Sequence, residues 1–391
     1  MPILSSELST ITAVIPNVAP IANNINVTWI QNESSQKLRG RHSHASTTVC
    51  EKLYTFGGVV KEGDYDEQES AELHVFEKGS GKWEIVAVDG TSKPPPRTAC
   101  AIAAVGKKLY VFGGMNHFKG WLNDLHVFDI ETSEWKQIIA GGERPSARDK
   151  VTAATIGNKI YFFGGFGPKR SVLPSSSLGS ANNGDDDDGF EDVDNEEDES
   201  EGPMAEFGWF NDLVTFDTEK SQWEAVHCSN DGMPTPRAGH SMCAIANLLV
   251  IFGGRDPLAR RNDIHILDTD TMSWVVPVHP MGRLPAPRSF HTGTAVGRRM
   301  VVLGGRSTDN QHYNDLHIFD IDTRQWLQPT VSGTVPVPRG MHTATACGEY
   351  LVVFGGASDL DHESQQCMTY HSETFLINTG DLLKGGAITK T

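Results

Sequence analysis

LVVFGG, residues 351–356, is the last of six copies of one phrase, an apolar run that ends in two glycines. The other copies are LYTFGG at 53–58, LYVFGG at 109–114, IYFFGG at 160–165, LVIFGG at 249–254 and MVVLGG at 300–305. Successive copies start 56, 51, 89, 51 and 51 residues apart. Such an apolar run is typical of a strand buried on both faces, and the glycines permit positive φ or a close approach of another segment.

Three further phrases recur in order after the glycines. An Asn-Asp phrase, such as NDIHILD at 262–268, is followed by a tryptophan and then by a Pro-x-x-Arg phrase, such as PAPR at 285–288, which we call the ramp. Each repeat of about 50 residues thus holds about four short strands separated by turn residues, a pattern typical of β-propeller blades. The sequence predicts an all-β fold, a six-bladed propeller.

The sixth repeat has no tryptophan strand of its own. INVTWIQN at 25–32 carries Trp29 ahead of the first full repeat, and we expect this N-terminal strand to complete the last blade and close the ring, which removes an exposed edge. The propeller domain is then 25–380, between a flexible tail at 1–24 and a C-terminal tail at 381–391.

The long step between the third and fourth copies contains an acidic insertion in blade 3, assigned to 168–206. Residues 185–201 hold twelve acidic residues and no basic one, which is typical of a solvated, disordered loop. Without this run the formal net charge of −17 would be −5. The rest of the chain has no global basic field, and nucleic acid is not an expected partner.

Composition excludes further classes. No run of about 18 apolar residues occurs, so no membrane span is expected, and residues 1–24 lack the basic and apolar regions of a secretory signal. The six cysteines have no Cys-x-x-Cys spacing, and several lie in apolar segments. This favours reduced thiols in a cytoplasmic or nuclear protein.

IFGGRDPLARRNDIH, residues 251–265, places three arginines in the loop after the fourth glycine pair. Loops alternate between the two ends of an antiparallel blade, so this loop and the ramps open on one face, around the channel entrance that we call the mouth. Guanidinium groups match carboxylates in shape and charge. We predict that Arg255 and Arg260 bind a ligand, with pairing to local acids such as Asp256 as the alternative, and that Arg261 is a solvated surface residue.

Residues that recur in every blade are interpreted as structural. They include the ramp arginines Arg237, Arg288 and Arg339. They also include a histidine that follows the ramp position in four repeats: His44, His240, His291 and His342.

The double glycine, the Asp-containing third strand and the spaced tryptophan resemble the kelch-repeat family over residues 25–380. Within it, several phrases are similar to the kelch-domain substrate receptors of cullin-2 ubiquitin ligases, which read C-terminal degrons, especially terminal Gly-Gly. Those phrases are ARDKVTAATIGNKIYFFGGFG at 147–167, FGWFND at 207–212, FGGRDPLARRND at 252–263 and PRSFH at 287–291.

This resemblance implies a pocket for a peptide's C-terminal carboxylate, a recurrent mode of recognition. The residues it assigns to ligand binding are Lys150, Phe166, Phe210, Arg255, Arg260, Ser289 and Phe290. It also implies cullin and elongin ligase subunits as partners, bound by helices after the propeller, whereas TGDLLKGGAITKT at 379–391 is too short and glycine-rich for us to expect such helices. The alternative is a general kelch scaffold that binds proteins through its loops without a carboxylate pocket.

Enzymatic propellers provide no matching pattern. The Tyr, Cys and His ligands of a copper radical oxidase do not recur near the mouth, the sialidase Asp-box has only the fragment SNDG at 229–232, and the E-x3-D-x3-H triplet of iron-binding kelch proteins does not occur. We therefore expect no enzyme activity, no catalytic residue, no metal site and no cofactor.

Overall fold

The computed structural model of the protein describes residues 24–34, 36–62, 66–88, 92–169, 206–228, 231–275, 278–361 and 363–385. Within these ranges the chain forms strands and a single helical turn, Thr379–Leu382. No helix in them is long and apolar enough to cross a membrane. The prediction of an all-β fold is confirmed.

The described residues form six sheets, which we call blades. Each blade has four antiparallel strands, numbered here from the inner edge of the sheet to its outer edge. Blade 1 consists of Ala45–Val49, Lys52–Phe56, Leu73–Glu77 and Lys82–Ile85. Blade 2 consists of Ala101–Val105, Lys108–Phe112, Leu125–Asp129 and Glu134–Ile138. Blade 3 consists of Thr152–Ile156, Lys159–Phe163, Leu213–Asp217 and Gln222–Ala225.

The last three blades follow the same order. Blade 4 consists of Ser241–Ile245, Leu248–Arg255, Arg260–Asp268 and Ser273–Trp274. Blade 5 consists of Thr292–Val296, Arg299–Arg306, His312–Asp320 and Gln325–Leu327. Blade 6 consists of Thr343–Cys347, Tyr350–Phe354, Thr374–Asn378 and, from the start of the chain, Asn26–Gln31.

Shorter strands are added at the outer edges of some blades and after some of the glycine pairs. Parallel segments are added to the outer edges of blades 3, 5 and 6: Gly141–Gly142, Met281–Gly282 and Thr330–Gly333. Hairpins follow the glycine pairs of blades 1, 2, 3 and 6: Val59–Glu62 with Asp66–Glu69, Met115–Asn116 with Gly120–Trp121, Phe166–Pro168 with Phe207–Trp209, and Ala357–Leu360 with Cys367–Tyr370. Arg41–His42 pairs with the first of these hairpins.

The innermost strands form a ring around a central channel. Each contacts the innermost strand of both neighbouring blades, and that of blade 6 contacts that of blade 1. Asn26–Gln31 lies antiparallel to Thr374–Asn378, and Trp29 is buried edge-on against Phe375. The prediction that the N-terminal strand closes the last blade is confirmed.

The glycine pairs allow the backbones of adjacent blades to approach closely. In blade 4, the Gly254 amide donates to the carbonyl of Arg288, the ramp arginine of the next blade, at 2.9 Å. Gly254 has φ +93°, and a Cβ there would lie 2.6 Å from the Cβ of His240. Glycine is required here because φ is positive and because a Cβ would collide with His240, which precedes the innermost strand of the same blade.

The ramp arginines are buried ion-pair residues that support these turns. Arg288 is fully buried, donates to the Gly304 carbonyl at 2.9 Å and forms two bonds to the Asp315 carboxylate at 2.6 and 2.8 Å. The equivalent arginines each donate to the carbonyl 16 residues later: Arg41, Arg97, Arg148, Arg237 and Arg339. This geometry confirms their structural role.

The four recurrent histidines join neighbouring blades. The Nε2 atom of His291 lies 2.9 Å from the Ser241 hydroxyl of the preceding blade, and that of His240 lies 2.7 Å from the Thr152 hydroxyl. His44 and His342 make the equivalent contacts to Thr343 and Thr292. Burial lowers the pKa of His240 and of His342 to about 3, so these rings are neutral near pH 7.

Several of the predicted segments fall on residues that the structure does not describe. Residues 170–205, which include the acidic run at 185–201, lie outside the described residues, and so do 1–23 and 386–391. The hairpin Phe166–Pro168 with Phe207–Trp209 places the insertion point on blade 3. The predicted boundary at residue 380 falls inside the helical turn Thr379–Leu382, whose Leu382 is buried in the core.

Candidate functional site

The mouth is narrowed by a ring of residues that follow the ramp arginines by two positions. Their shared feature is a left-handed backbone: Ser43, Ala99, Lys150, Gly239, Phe290 and Met341. Backbone bonds of 2.8–2.9 Å link Lys150 to Ala99, Ala99 to Ser43, Ser43 to Met341, Met341 to Phe290 and Phe290 to Gly239. These six residues line a cavity of about 180 Å³, which places the predicted residues Lys150 and Phe290 at its rim.

Beside this ring, the loop of blade 4 holds two arginines directly opposite each other. Arg255 and Arg260 are cross-strand partners at the end of Leu248–Arg255 and Arg260–Asp268. Like charges in this position destabilise a hairpin. Their pairing therefore lowers the stability of the fold unless an anion offsets the repulsion between the two charges.

The local acid of this loop does not compensate Arg255. The Asp256 carboxylate is buried, accepts from the amides of Leu258 and Ala259, and pairs with the Nε of Arg261 at 2.5 Å. Burial raises the pKa of Asp256, but the bonds from Arg261 and the two amides outweigh it and leave the pKa below its usual value. Arg261 therefore holds the loop together, which corrects the expectation of a solvated surface residue.

Arg260 makes its contacts only with neutral acceptors in the described part of the chain. Its Nε donates to the Ser289 hydroxyl at 2.9 Å, and its Nη2 donates to the side-chain carbonyl of Asn310 at 2.8 Å. A longer bond of 3.4 Å reaches the carbonyl of Thr308. Burial, together with the charges of Arg306 and Arg255, lowers the pKa of Arg260 to about 10. The predicted pair Arg260 and Ser289 is thus in contact.

Arg255 and Arg306 complete a cluster of three arginines. The Arg255 side chain is exposed and makes no hydrogen bond or ion pair with any described residue. Arg306 is half-buried, its guanidinium lies 5.2 Å from the centre of the Phe290 ring, and its buried Nε has no partner within the described ranges. Burial lowers the pKa of Arg306, and the charge of Arg255 adds to this effect. The site prediction omitted Arg306, although it follows a glycine pair just as Arg255 does.

Lys150 is near the cavity but already has a counter-charge. Its ammonium group pairs with the carboxylate of Asp149, a residue that is 2% exposed. One oxygen of that carboxylate has no partner among the described residues. Lys150 can therefore contribute less net attraction for an anion than the three arginines.

The predicted aromatic walls lie in three different surroundings. Phe290 lies at the mouth, under Arg306. Phe166 packs against Trp209, with ring centres 5.0 Å apart, and lies 6.1 Å from Trp121. The site prediction missed both tryptophans, which come from the hairpins of blades 2 and 3.

Phe210 is placed away from the arginine cluster. Its ring lies 3.9 Å from the guanidinium carbon of the ramp arginine Arg148. It lines a separate groove of about 460 Å³ with residues such as Lys169 and Met233. Tyr313 covers Arg288 in the same way, so this position of the repeat serves to pack a ramp arginine.

Other chemistry is not evident in the described ranges. They contain no group of three or more His, Cys, Asp or Glu side chains that could hold a metal ion. All six cysteines are unbridged, and Cys100, Cys243, Cys347 and Cys367 are buried. What distinguishes the mouth is the cluster of Arg255, Arg260 and Arg306, none of which forms an ion pair with a described acidic residue.

Comparison with known proteins identifies the repeat. The family model described as the KLHDC2/KLHL20/DRC7 Kelch-repeats domain matches residues 24–178 and 200–378. Mouse "Kelch domain-containing protein 1" is 30% identical over 329 residues, which cover 82% of this chain and 76% of that protein. Bovine "Kelch domain-containing protein 2" is 30% identical over 331 residues, with the same two coverages. Human "Host cell factor 1" is 29% identical over 348 residues, which cover 81% of this chain but 15% of that protein.

Proposed function

Since this chain belongs to the kelch-repeat family, whose propellers typically bind proteins, we propose that its mouth captures the C-terminal carboxylate of a peptide or protein. The observation that carries this proposal is the pair of facing arginines, Arg255 and Arg260, which lack an acidic partner among the described residues. A propeller fold by itself supports many functions, and only the arginine pair distinguishes among them.

The contacts of the pair suit a carboxylate. Arg255 has all its donors available to a ligand, while Arg260 is held in place by Ser289 and Asn310. A charge-assisted hydrogen bond contributes about 1.5–3 kcal/mol net. We therefore expect the two guanidinium groups to anchor one chain end, while the Ser289 side chain, which is buried, positions Arg260.

A small cavity next to the arginines favours a chain end over an internal segment; its rim residue Phe290 contacts Arg306, but none of the three arginines lines it. Its volume of about 180 Å³ is bounded by the hydrogen-bonded ring that includes Phe290 and Met341. Pockets for drug-sized ligands are commonly about 300–1,000 Å³. One or two small residues fit such a space, whereas an internal segment would need room to enter and leave.

The test compares matched peptides that end in a free carboxylate or in an amide. We expect the free acid to bind the wild-type protein at least about tenfold more tightly, since one charge-assisted bond is worth that much. Arg255→Ala should remove the difference. Arg298→Ala is the matched control, because it also removes one positive charge, but from an arginine paired with Asp322 in the turn between the first two strands of blade 5, at the opposite end of the blade. Equal binding of acid and amide by the wild type would reject the carboxylate site and leave the general scaffold.

A narrower proposal concerns what happens to the bound protein. The similarity of the arginine loop to cullin-2 substrate receptors supports a role in presenting C-termini for ubiquitination. If the protein has this role, cullin and elongin subunits should copurify with it from its own cells, despite the short segment after the propeller. Recovery of bound C-terminal peptides without those subunits would favour an adaptor that does not serve a ligase.

A further inference from the structure

Arg306 adds a third positive charge that a single terminal carboxylate does not require. It lies in the loop of blade 5, and its backbone pairs with Ser289, the residue whose hydroxyl holds Arg260. Arg255 and Arg306 both lower the pKa of Arg260 by their charge, after the larger effect of burial. The three guanidinium groups therefore share one electrostatic site.

The nearest acids are engaged by their own loops. Asp309 accepts a hydrogen bond from the Ser307 hydroxyl and forms no ion pair with an arginine in the described part of the chain, although its charge raises the pKa of Arg260 and so attracts that guanidinium. Asp256 is occupied by Arg261. A buried donor such as the Arg306 Nε, which has no partner in these ranges, costs stability unless a ligand or solvent satisfies it.

Space for a second acidic group adjoins the cluster. A cavity of about 510 Å³ lies between the loops of blades 5 and 6; its lining includes Asn310, the partner of Arg260, and His312, but none of the three arginines. Burial lowers the pKa of His312 to about 4, and the charge of Arg306 contributes, so the ring is neutral and can donate a hydrogen bond. Its buried Nε2 has no partner among the described residues. Asp359 is the one acid among the described lining residues; the hydroxyls of Ser358 and Thr369 bind one oxygen of its carboxylate and lower its pKa, so it keeps its negative charge.

We propose that the mouth selects C-terminal segments that carry a second carboxylate, from a Glu or Asp at the last or penultimate position, and that Arg306 recognises it. This inference rests on the proposed function, because the terminal carboxylate occupies Arg255 and Arg260. Arg306 is then a specificity-determining residue, and its loss should change which peptide binds rather than whether any peptide binds.

The experiment uses peptides that differ only in charge. One pair ends in Glu-Gly or Gln-Gly, and a second pair ends in Gly-Glu or Gly-Gln, all with free carboxylates and the same upstream sequence. Dissociation constants are measured for the wild type, Arg306→Gln, Arg306→Lys and the control Arg298→Gln. We expect the wild type to prefer Glu over Gln about tenfold in at least one pair, since a charge-assisted bond contributes about that much.

Arg306→Gln should reduce this preference to less than about twofold, because the Glu peptides should lose more affinity than the Gln peptides. Arg306→Lys should restore part of the preference, because it restores the charge without the fork of donors. Equal binding of Glu and Gln peptides by the wild type in both pairs would overturn the proposal. An equal loss for all four peptides in Arg306→Gln would also overturn it.

Amidated versions of the same peptides separate this failure from that of the proposed function. If acid and amide bind equally, the terminal carboxylate site is wrong. If the acid binds better but Glu and Gln do not differ, only the role of Arg306 is wrong. Thermal unfolding of each variant shows whether a loss of binding reflects a loss of fold.

Discussion

Arg288 and Arg255 lie on the same face of adjacent blades and have opposite surroundings. Arg288 is fully buried and bonds to Asp315, Gly304 and Ala286. Arg255 is exposed and has no partner among the described residues. The same side chain therefore stabilises the fold in one position and is available to a ligand in the other. The role of each arginine thus depends on its hydrogen-bond partners and not on the residue type, and this difference can be tested.

The largest effect is expected from acid, which acts on the buried side of the comparison. His44, His240, His291 and His342 are buried beside the ramps, and burial lowers the pKa of each ring well below 6.5. The unfolded chain takes up protons near pH 6.5, whereas the folded rings do not. Their stabilising contribution is complete above pH 6.5 and is lost as the pH falls toward about 3, which is the pKa of His240 and His342.

In that range, each of these histidines should lower the free energy of unfolding by about 1.4 kcal/mol for every unit by which the pH falls. Urea unfolding between pH 7 and pH 5 measures the slope. His291→Gln should make the slope shallower by about one proton, and the exposed His279→Gln is its control. A stability that stays constant down to pH 5 would show that the four rings are solvated or protonated in the folded state.

The next largest effect separates the two arginines directly. Arg288→Ala removes the Arg288 donors from the Gly304 carbonyl and from the Asp315 carboxylate, which keeps a bond from His317 and is partly exposed. The expected loss is therefore about 3 kcal/mol, the lower end for breaking a buried pair from one side. Arg255→Ala removes no contact with a described residue and relieves its repulsion with Arg260, so its stability should change by less than about 0.5 kcal/mol. Urea midpoints of the two variants test this. Similar losses in both would remove the distinction on which the site rests.

Most of the fold could be predicted from the sequence because its signals are local and repeated. The glycine pairs, ramps and tryptophans recur at one period, and each marks a contact between adjacent blades, as the Gly254 amide and the Arg288 carbonyl illustrate. Trp29 could be assigned to the last blade because that blade lacks a tryptophan strand. A period is visible in a single sequence even when the blades are far apart in space.

The site was less predictable because it depends on the direction in which each side chain points, which the spacing of the repeats does not determine. Asp256 precedes the turn of its loop and accepts two amides there, which directs its carboxylate to Arg261 instead of to the adjacent Arg255. Phe210 precedes an Asn-Asp phrase, and its ring covers Arg148 rather than the mouth. Trp209 lies opposite Phe166 across their own hairpin, but Trp121 reaches Phe166 from the hairpin of blade 2, a contact for which the local sequence carries no signal.

An intermediate effect is expected on binding alone. Arg255→Ala should weaken binding of a free C-terminal carboxylate by about 1.5–3 kcal/mol, or roughly 10- to 100-fold. Arg261→Ala in the same loop should act differently, because it releases Asp256 from its ion pair and so lowers stability as well as binding. Calorimetric titration and thermal unfolding of both variants check this. If Arg255→Ala lost stability and Arg261→Ala did not, the assignment of the two residues would have to be exchanged.

The smallest effect concerns the acidic run at 185–201, which is tethered to the same face. Its flanks join the described chain at Lys169 and Glu206, whose backbones are hydrogen-bonded at 2.6 Å, on the hairpin of blade 3 next to the arginine loop of blade 4. Twelve carboxylates held there raise the local concentration of a weak competitor for the arginines. Deleting residues 171–205 should therefore increase the affinity for a C-terminal peptide by a few-fold at low salt, where charge attraction is least screened, and by less at about 0.5 M salt. A variant that keeps the length but replaces the twelve acids by Asn and Gln should match the deletion if charge is the cause. Unchanged affinity in both variants at low salt would mean that the run does not compete for the mouth.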